Sequence, residues 1–225
     1  GQAWKLDELK DYGFCQPNAS LVQLAFHAWE DEAQDAWIYQ GWWLELTQTK
    51  LVLTRHYRPR RAMHVVPGED SRFMVHEAAE LMVYPGAPNP RARWQNATER
   101  QPTPADWDRV RAAALPDLAA WHAWLKLAWK PLGAPAAPAA LLSYQALLQS
   151  EAGPLLRDAN GAMLRLTDLA LGDGLATQTA LQALAVDFSG PGVILLRAGQ
   201  DLADDRLLGQ ALGLLVGETW VRLAG

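Results

Sequence analysis

The chain has 225 residues, half of them hydrophobic and a fifth charged, a composition that excludes an intrinsically disordered protein. Its net charge of −5 argues against a general binder of nucleic acid or of membranes. A single cysteine, Cys15, excludes internal disulfides and a zinc site built from cysteines, and this usage fits a reducing cytoplasm. No apolar run is long enough to predict a transmembrane segment.

Tryptophan is unusually abundant in this sequence, with 11 Trp against 5 Tyr and 4 Phe. A buried indole removes ~200 Å² from water and needs a partner for its N–H group. Because most of these rings lie within apolar periodic segments, we expect them to fill the core. We therefore also expect no pocket that is equipped for catalysis.

Residues 1–103 are predicted to form a β-rich part. Apolar residues at helical spacing indicate a short helix within residues 4–12. Residues 19–30 are compatible with a strand or a helix, and their alternating apolar residues favour the strand. The aromatic-rich stretch 36–59 predicts an antiparallel hairpin with a polar turn. Residues 71–85 are typical of one further long strand, or of two with a bulge near Ala78-Ala79, and the stretch ends in the proline-rich corner "YPGAPNP".

Residues 104–150 are predicted to form a helical, Trp-rich middle segment. Thr103 as N-cap and Pro104 at the first helical position predict the start of one long helix. A Pro/Ala linker is expected at 131–140, followed by an amphipathic helix at 140–151.

Residues 151–225 are predicted to be β-rich again. Asn160-Gly161 between apolar pairs predicts a hairpin with a type I′ turn. One strand is expected on each side of residues 189–192, and one on each side of Gly217-Glu218. The whole pattern predicts an α+β fold with mostly antiparallel sheets, packed as one or two domains.

A local basic and aromatic patch is the one candidate contact surface in this acidic chain. It combines the stretch "RHYRPRR" with the end of the proline-rich corner. Clustered arginines can bind phosphates or an acidic partner, whereas the alternative reading is a solvated strand end. The candidate contact residues are Arg55, Tyr57, Arg58, Arg60, Arg61, Arg91, Arg93 and Trp94.

Catalytic and cofactor-binding motifs yield no specific signal. The stretch "HEAAE", residues 76–80, resembles half of a zinc-binding helix, but its flanks favour a strand. In a strand, His76 and Glu80 would lie ~13 Å apart and could not share a metal ion. The sequence therefore predicts no catalytic residue, no metal ligand and no cofactor.

The order of these pieces resembles the C-terminal region of bacterial SWIM zinc finger family proteins. The likeness rests on "WIYQGWWLEL", "AAELMVYPGAPNPRARW", "LLRDANGAML" and "LQALAVDFSGPGVILLRAG", and it spans roughly residues 30–225. The family's C-x-C…C-x-H zinc-binding segment is missing from this sequence. Because the chain begins with Gly1, we expect that segment upstream. The resemblance implies a cytoplasmic bacterial protein whose zinc finger contacts DNA or protein.

The preferred hypothesis is a non-catalytic interaction or scaffold module with a protein partner. A second hypothesis is single-stranded nucleic-acid binding, in which Tyr57, Trp42, Trp43 and Trp94 would stack on bases beside the basic patch. A third is a hydrolase or metal enzyme whose site residues are dispersed along the chain.

Overall fold

A computed structural model describes residues 4–86, 88–129, 137–184, 189–201, 203 and 205–224. The chain divides into two compact units, Gly1–Arg109 and Val110–Gly225. Their sheets are antiparallel and, among the residues that the structure describes, are accompanied by four α-helices, which confirms the predicted α+β class. None of the helices in the described ranges is long and apolar enough to cross a membrane.

One six-stranded sheet forms most of the first unit. Its strands are β1 (Cys15–Asp31), β2 (Ala36–Glu45), β3 (Lys50–Pro59), β4 (Val75–Val83), β5 (Ala92–Trp94) and β6 (Thr98–Arg100). The order is β3-β2-β1-β4-β5, and β6 pairs with the opposite end of β4 from β5. The strands predicted at 19–30, 36–59 and 71–85 are therefore confirmed.

The hairpin of β2 and β3 turns where the sequence predicts a polar turn. The buried carboxylate of Glu45 accepts hydrogen bonds from the backbone N–H groups of Thr47 (3.1 Å) and Gln48 (2.7 Å). Thr49 completes the turn with a φ of 53°. These bonds satisfy the free N–H groups of the turn and so fix the register of the two strands.

The sheet curls until its two edge strands meet. Leu53 of β3 forms a parallel bridge with Arg91, and the Leu53 N–H donates to the carbonyl of Pro90 at 3.0 Å. A parallel bridge is expected there, because four antiparallel pairings separate β3 from β5. The curl encloses a small apolar core of Ala19, Leu21, Trp43, Val52, Ala78, Leu81 and Ala92.

The short N-terminal helix and the proline-rich corner flank this sheet. The helix α1 (Leu6–Asp11) is confirmed, and Gly13, with a φ of +76°, follows its end. After β4 the chain turns back, and the Tyr84 N–H donates to the carbonyl of Arg91 at 2.8 Å. The corner therefore connects β4 to β5 and brings Arg91 beside β3.

The middle of the chain holds two helices, α2 (Pro104–Ala113) and α3 (Leu118–Ala128), instead of the one helix predicted. Pro116 disfavours helical backbone at Leu115. Leu115 instead forms backbone hydrogen bonds with residues 141–143. Its N–H donates to the carbonyl of Leu141 at 2.8 Å, and its carbonyl accepts from the Ser143 N–H at 2.9 Å.

Two antiparallel sheets form the second unit. Its strands are β7 (Ala139–Tyr144), β8 (Ala146–Ser150), β9 (Gly153–Arg157), β10 (Met163–Arg165), β11 (Gly192–Asp201), β12 (Arg206–Val216) and β13 (Thr219–Arg222). One sheet has the order β13-β12-β11-β7 and the other has the order β10-β9-β8. The strands predicted around Gly217 are confirmed.

The helix predicted at 140–151 is wrong, since this stretch forms β7 and β8. Its leucine pairs suit one face of a helix, but they are equally compatible with short buried strands. Pairing of β7 with β11 and of β8 with β9 decides between the two. The predicted linker at 131–140 lies mostly outside the described residues, and its end, Ala139-Ala140, begins β7.

The hairpin of β9 and β10 is confirmed, but its type I′ turn is wrong. Gly161 has a φ of +83°, whereas Asn160 is not among the residues with positive φ. The Gly161 N–H donates to the carbonyl of Asp158, and the Asp158 N–H donates to the carbonyl of Ala162. This arrangement is typical of a type I turn followed by a left-handed glycine.

A helix, α4 (Gln178–Leu184), replaces the strand predicted on the N-terminal side of residues 189–192. The carboxylate of Asp168 accepts from the N–H groups of Thr177 (2.7 Å) and Gln178 (3.0 Å), which caps this helix. Residues 185–188 of the predicted strand lie outside the described ranges. The strand predicted after them is confirmed as β11.

Candidate functional site

The first unit contains an open cleft of about 600 Å³ between β3 and β5. One wall is the edge of β3, the opposite wall is Arg91 with β5, and residues 69–72 close a third side. The lining residues are Gln23, Trp43, Thr54, Arg55, His56, Glu69, Asp70, Arg72, His76, Tyr84, Arg91, Ala92, Arg93 and Trp94.

Three rings meet in the lining of this cleft. The ring centres of Trp43 and Trp94 are 4.8 Å apart and nearly perpendicular, and the imidazole of His76 lies 4.9 Å from Trp43. Trp43 is buried, whereas Trp94 is half-buried. The expectation that indoles fill the interior therefore holds for Trp43, but Trp94 lines an open space.

Each indole N–H in this cluster has a partner within the cleft. Trp43 Nε1 donates to the hydroxyl of Thr54 at 2.9 Å. Gly41 is needed at this point, because a Cβ there would lie 2.5 Å from Trp43 Nε1 and 2.7 Å from Thr54 Oγ1. Trp94 Nε1 donates to Nδ1 of His76 at 3.3 Å.

The bond from Trp94 defines the protonation state of His76. Nδ1 can accept the indole proton only if His76 is neutral and carries its own proton on Nε2. Burial lowers the pKa of His76, and the positive charge of Arg72 lowers it further, although Glu99 acts in the opposite direction. Nε2 is buried and lies 3.2 Å from Glu99 Oε1, but in an alignment that does not form a hydrogen bond.

The charged side chains of the lining are mostly arginines. Arg91 and Arg93 are both exposed, and the guanidinium of Arg91 lies 5.6 Å from the ring centre of Tyr84. On the loop side, the Glu69 carboxylate lies 3.9 Å from Nδ1 of His56. The four arginines of the lining outnumber its two carboxylates, so the field in the cleft favours an anion.

Half of the predicted contact residues line this cleft. They are Arg55, Arg91, Arg93 and Trp94. Arg55 also donates from Nε to the side-chain oxygen of Gln40 at 2.9 Å, so part of its guanidinium is already engaged.

The other half of the predicted residues lie outside the lining. Arg58 donates to the carbonyls of Met63 and Val66 and so fixes the loop after β3. Arg60 forms ion pairs with Glu30 and Asp35. Tyr57 and Arg61 are exposed.

The stacking platforms named for nucleic-acid binding are mostly buried. The exposed fractions of Trp42 and Trp43 are 2% and 4%. No ring face of either side chain is therefore open to a base, which leaves Trp94 and Tyr57 as accessible rings. Among the described residues, no three His, Cys, Asp or Glu side chains are grouped to hold a metal ion.

Sequence reasoning missed several members of the lining. His56 belongs to the basic stretch "RHYRPRR" that the sequence singled out, but Thr54 was missed, although it lies two residues before His56 on the same face of β3. Gln23 and Arg72 carried no such signal. They meet because the Arg72 backbone N–H donates to Gln23 Oε1 at 2.7 Å, across 49 residues of sequence.

No protein-family model matches this sequence, and no curated protein matches it either.

Proposed function

We propose that the chain is a non-catalytic interaction module whose first unit binds an acidic segment of a protein partner in the cleft. The observation that carries this proposal is the pair Arg91 and Arg93. Both side chains are exposed at the cleft, and neither forms an ion pair with a described residue. Two such arginines in a protein of net charge −5 form a local site for negative charge.

The spacing of this pair suits an extended peptide. Residues i and i+2 of a strand lie on one face, ~7 Å apart, so Arg91 and Arg93 present two cations at that spacing. Alternate side chains of an extended partner have the same spacing, and two carboxylates would meet the two guanidinium groups. The buried faces of Trp42 and Trp43 make single-stranded nucleic acid the less supported partner.

We further propose that the chain is the cytoplasmic companion region of a longer bacterial protein related to the SWIM zinc finger family. The Tyr84-Pro85 corner between β4 and β5 supports this placement, because the resemblance is built around that corner. A reading frame with a C-x-C…C-x-H segment upstream of Gly1 would test it.

Fluorescence anisotropy with labelled peptides tests the binding. We expect fluorescein-labelled hexaglutamate to bind, with an affinity that falls as salt rises, and hexalysine not to bind. The double variant Arg91→Glu/Arg93→Glu should weaken hexaglutamate binding by about tenfold or more, which corresponds to ~1.4 kcal/mol.

A matched charge control separates the cleft from the net charge. Arg61→Glu/Arg165→Glu changes the net charge by the same amount at two exposed arginines outside the cleft lining. This control should retain hexaglutamate binding within about twofold. Equal losses in both double variants, or no binding of hexaglutamate at low salt, would refute the acidic-partner proposal.

A further inference from the structure

The cleft lies where β3 and β5, the two edge strands that meet in the curled sheet of the first unit, move apart. The bridge between Leu53 and Arg91 is the point at which β3 meets the β5 side of the sheet. Beyond Leu53, β3 continues to Pro59 along one wall of the cleft, and β5 forms the facing wall. The two strands therefore diverge from a single contact, and the cleft occupies the gap.

Both walls of this gap have backbone groups that are not used in pairing. Within the described residues, Thr54–Pro59 pair with β2 on one side and form no backbone hydrogen bond on the side of the cleft. On the facing wall, Ala92–Trp94 pair with β4, and beyond the bridge at Leu53 the backbone groups of Trp94 form no further pairing among the described residues. Free N–H and C=O groups along a strand edge are a template for a further strand.

We infer that the cleft is a slot for one extended peptide strand, which pairs through its backbone with the edges of both β3 and β5. This inference rests on the proposed function and specifies how the acidic partner binds. The directions of the walls are compatible with it. Because β3 and β5 run parallel to each other, a single inserted strand can be antiparallel to both, which is the favoured pairing.

The inserted strand would complete the closed sheet and would also meet the charges of the cleft. Alternate residues of a strand direct their backbone groups to opposite edges and their side chains to opposite faces. Acidic residues at alternate positions would therefore lie on one face, where Arg91 and Arg93 are exposed. The backbone groups of the acidic residues would then face one wall strand, and those of the residues between them would face the other.

Backbone N-methylation of a peptide tests this inference directly. The probe is a labelled hexapeptide of alternating glutamate and valine, acetylated and amidated at its ends. One derivative carries N-methyl groups on its valines and the other carries them on its glutamates, so each derivative loses the N–H donors of one edge. We expect each derivative to bind about tenfold or more weakly than the parent peptide, while all side chains stay unchanged.

Hydrogen exchange supplies a second readout. We expect the parent peptide to slow amide exchange within Thr54–Arg58 and within Ala92–Trp94, and to leave β11 and β12 of the second unit unchanged. Unchanged affinity in both N-methylated derivatives, or a loss in only one of them, overturns insertion between two edges. In either case, binding of the parent peptide would leave the acidic-partner proposal intact.

Other occupants give distinct results that also overturn the inference. Tighter binding of a labelled oligothymidylate than of the parent peptide would assign the gap to single-stranded nucleic acid. A dimer in sedimentation velocity, with the same protected amides before any peptide is added, would assign the gap to a second copy of the chain. If neither hexaglutamate nor the alternating peptide binds, both the proposed function and the inference fail.

Discussion

Buried and half-buried polar side chains keep the cleft open at the scale of single residues. Gln23 has an exposed fraction of 3%, yet its amide oxygen holds the loop at Arg72 through a backbone N–H. Thr54 and His76 accept the indole protons of Trp43 and Trp94. Because the indole N–H groups of Trp43 and Trp94 both have such a partner, the two rings stay fixed around the space instead of collapsing into it.

The first prediction concerns the bond from Trp94 to His76. Acidification places a proton on Nδ1, which then can no longer accept the indole N–H. Because the pKa of His76 is lowered from its ordinary value of 6.5, we expect tryptophan fluorescence to change with a midpoint below 6.5. The measurement is an emission titration of the full chain from about pH 8 to about pH 5, across the range in which histidine titrates.

Two variants assign that change to His76. His76→Gln should lose the fluorescence change, whereas His56→Gln, which alters another imidazole of the cleft lining, should retain it. The same protonation should lower the free energy of unfolding. The unfolded chain binds the proton more readily, so this contribution to stability is complete above pH 6.5 and is lost as the pH falls below it. Persistence of the change in His76→Gln would contradict the assignment.

The candidate contact residues show how far single residues can be predicted from the sequence. Arg91, Arg93 and Trp94 are candidates because they follow a corner that the sequence marks with prolines, and the structure places them in the cleft lining. Arg58 lies in the same basic stretch as Arg55, but it binds the carbonyls of the loop after β3. Whether an arginine stays available depends on the folded path of the loop that follows β3, and residue type alone does not predict that path.

At the scale of elements, one ion-pair network joins β4, β6 and the start of α2. Arg100 forms a two-bond pair with Asp106, at 2.6 and 2.8 Å, and also binds Glu77. Asp106 further accepts the backbone N–H of Thr103 at 2.7 Å. Burial alone would raise the pKa of Glu77 and of Asp106, but these hydrogen bonds outweigh it and lower both pKa values.

The second prediction follows from this network. Asp106→Asn should lower the free energy of unfolding at neutral pH by about 1–3 kcal/mol, because it removes the charge from a pair of charge-assisted hydrogen bonds. The stabilisation by Asp106 is present above its unfolded pKa of 3.8 and is lost as the pH falls through its lower folded value. Urea unfolding at pH values from about 7 to about 3 should therefore show the difference between wild type and variant shrinking with acid.

A turn residue provides the control for that measurement. Glu32→Gln removes one negative charge from an exposed position of the turn between β1 and β2, and it should leave the free energy of unfolding unchanged within about 0.5 kcal/mol. A difference for Asp106→Asn that stays constant down to about pH 3 would show that the carboxylate charge does not stabilise the unit.

Elements were predicted well where local chemistry decides the structure and poorly where tertiary pairing decides it. The alternating apolar residues and the polar turn of residues 36–59 specify a hairpin without any contact to a distant strand. The stretch 140–151 has the same leucine pairs as a helix face, and only its pairing with β9 and β11 makes it two strands. Asn160-Gly161 marked a hairpin correctly, but the bonds that Asp158 forms select a different turn.

At the scale of the whole molecule, each unit has its own hydrophobic core. The first is enclosed by the curled sheet around Leu21 and Leu81. The second surrounds Trp121, which is completely buried, together with Leu125, Leu142 and other leucines. These clusters share no residue, so damage to one core is expected to remain local.

The third prediction tests that independence. Trp121→Ala should lower the free energy of unfolding of the second unit by about 3–5 kcal/mol. It should speed amide exchange in β7 and β11 but leave β1 and β2 unchanged. The measurement is hydrogen exchange with mass spectrometry on the full chain.

A milder substitution serves as control. Trp121 Nε1 is buried without a hydrogen-bond partner among the described residues, so Trp121→Phe removes an unsatisfied donor together with part of the ring. We expect it to cost clearly less than Trp121→Ala. Faster exchange in β1 and β2 of the Trp121→Ala variant would refute the independence of the two cores.

The open seam between β3 and β5 also bears on how the protein avoids aggregation. An unpaired strand edge invites a second copy to add its own edge, which is a common start of fibre formation. Here the β3 edge carries Lys50, Arg55 and Arg58 and terminates in Pro59. If two such edges approached each other, their positive charges would repel. The charge that attracts an acidic peptide therefore also opposes self-association.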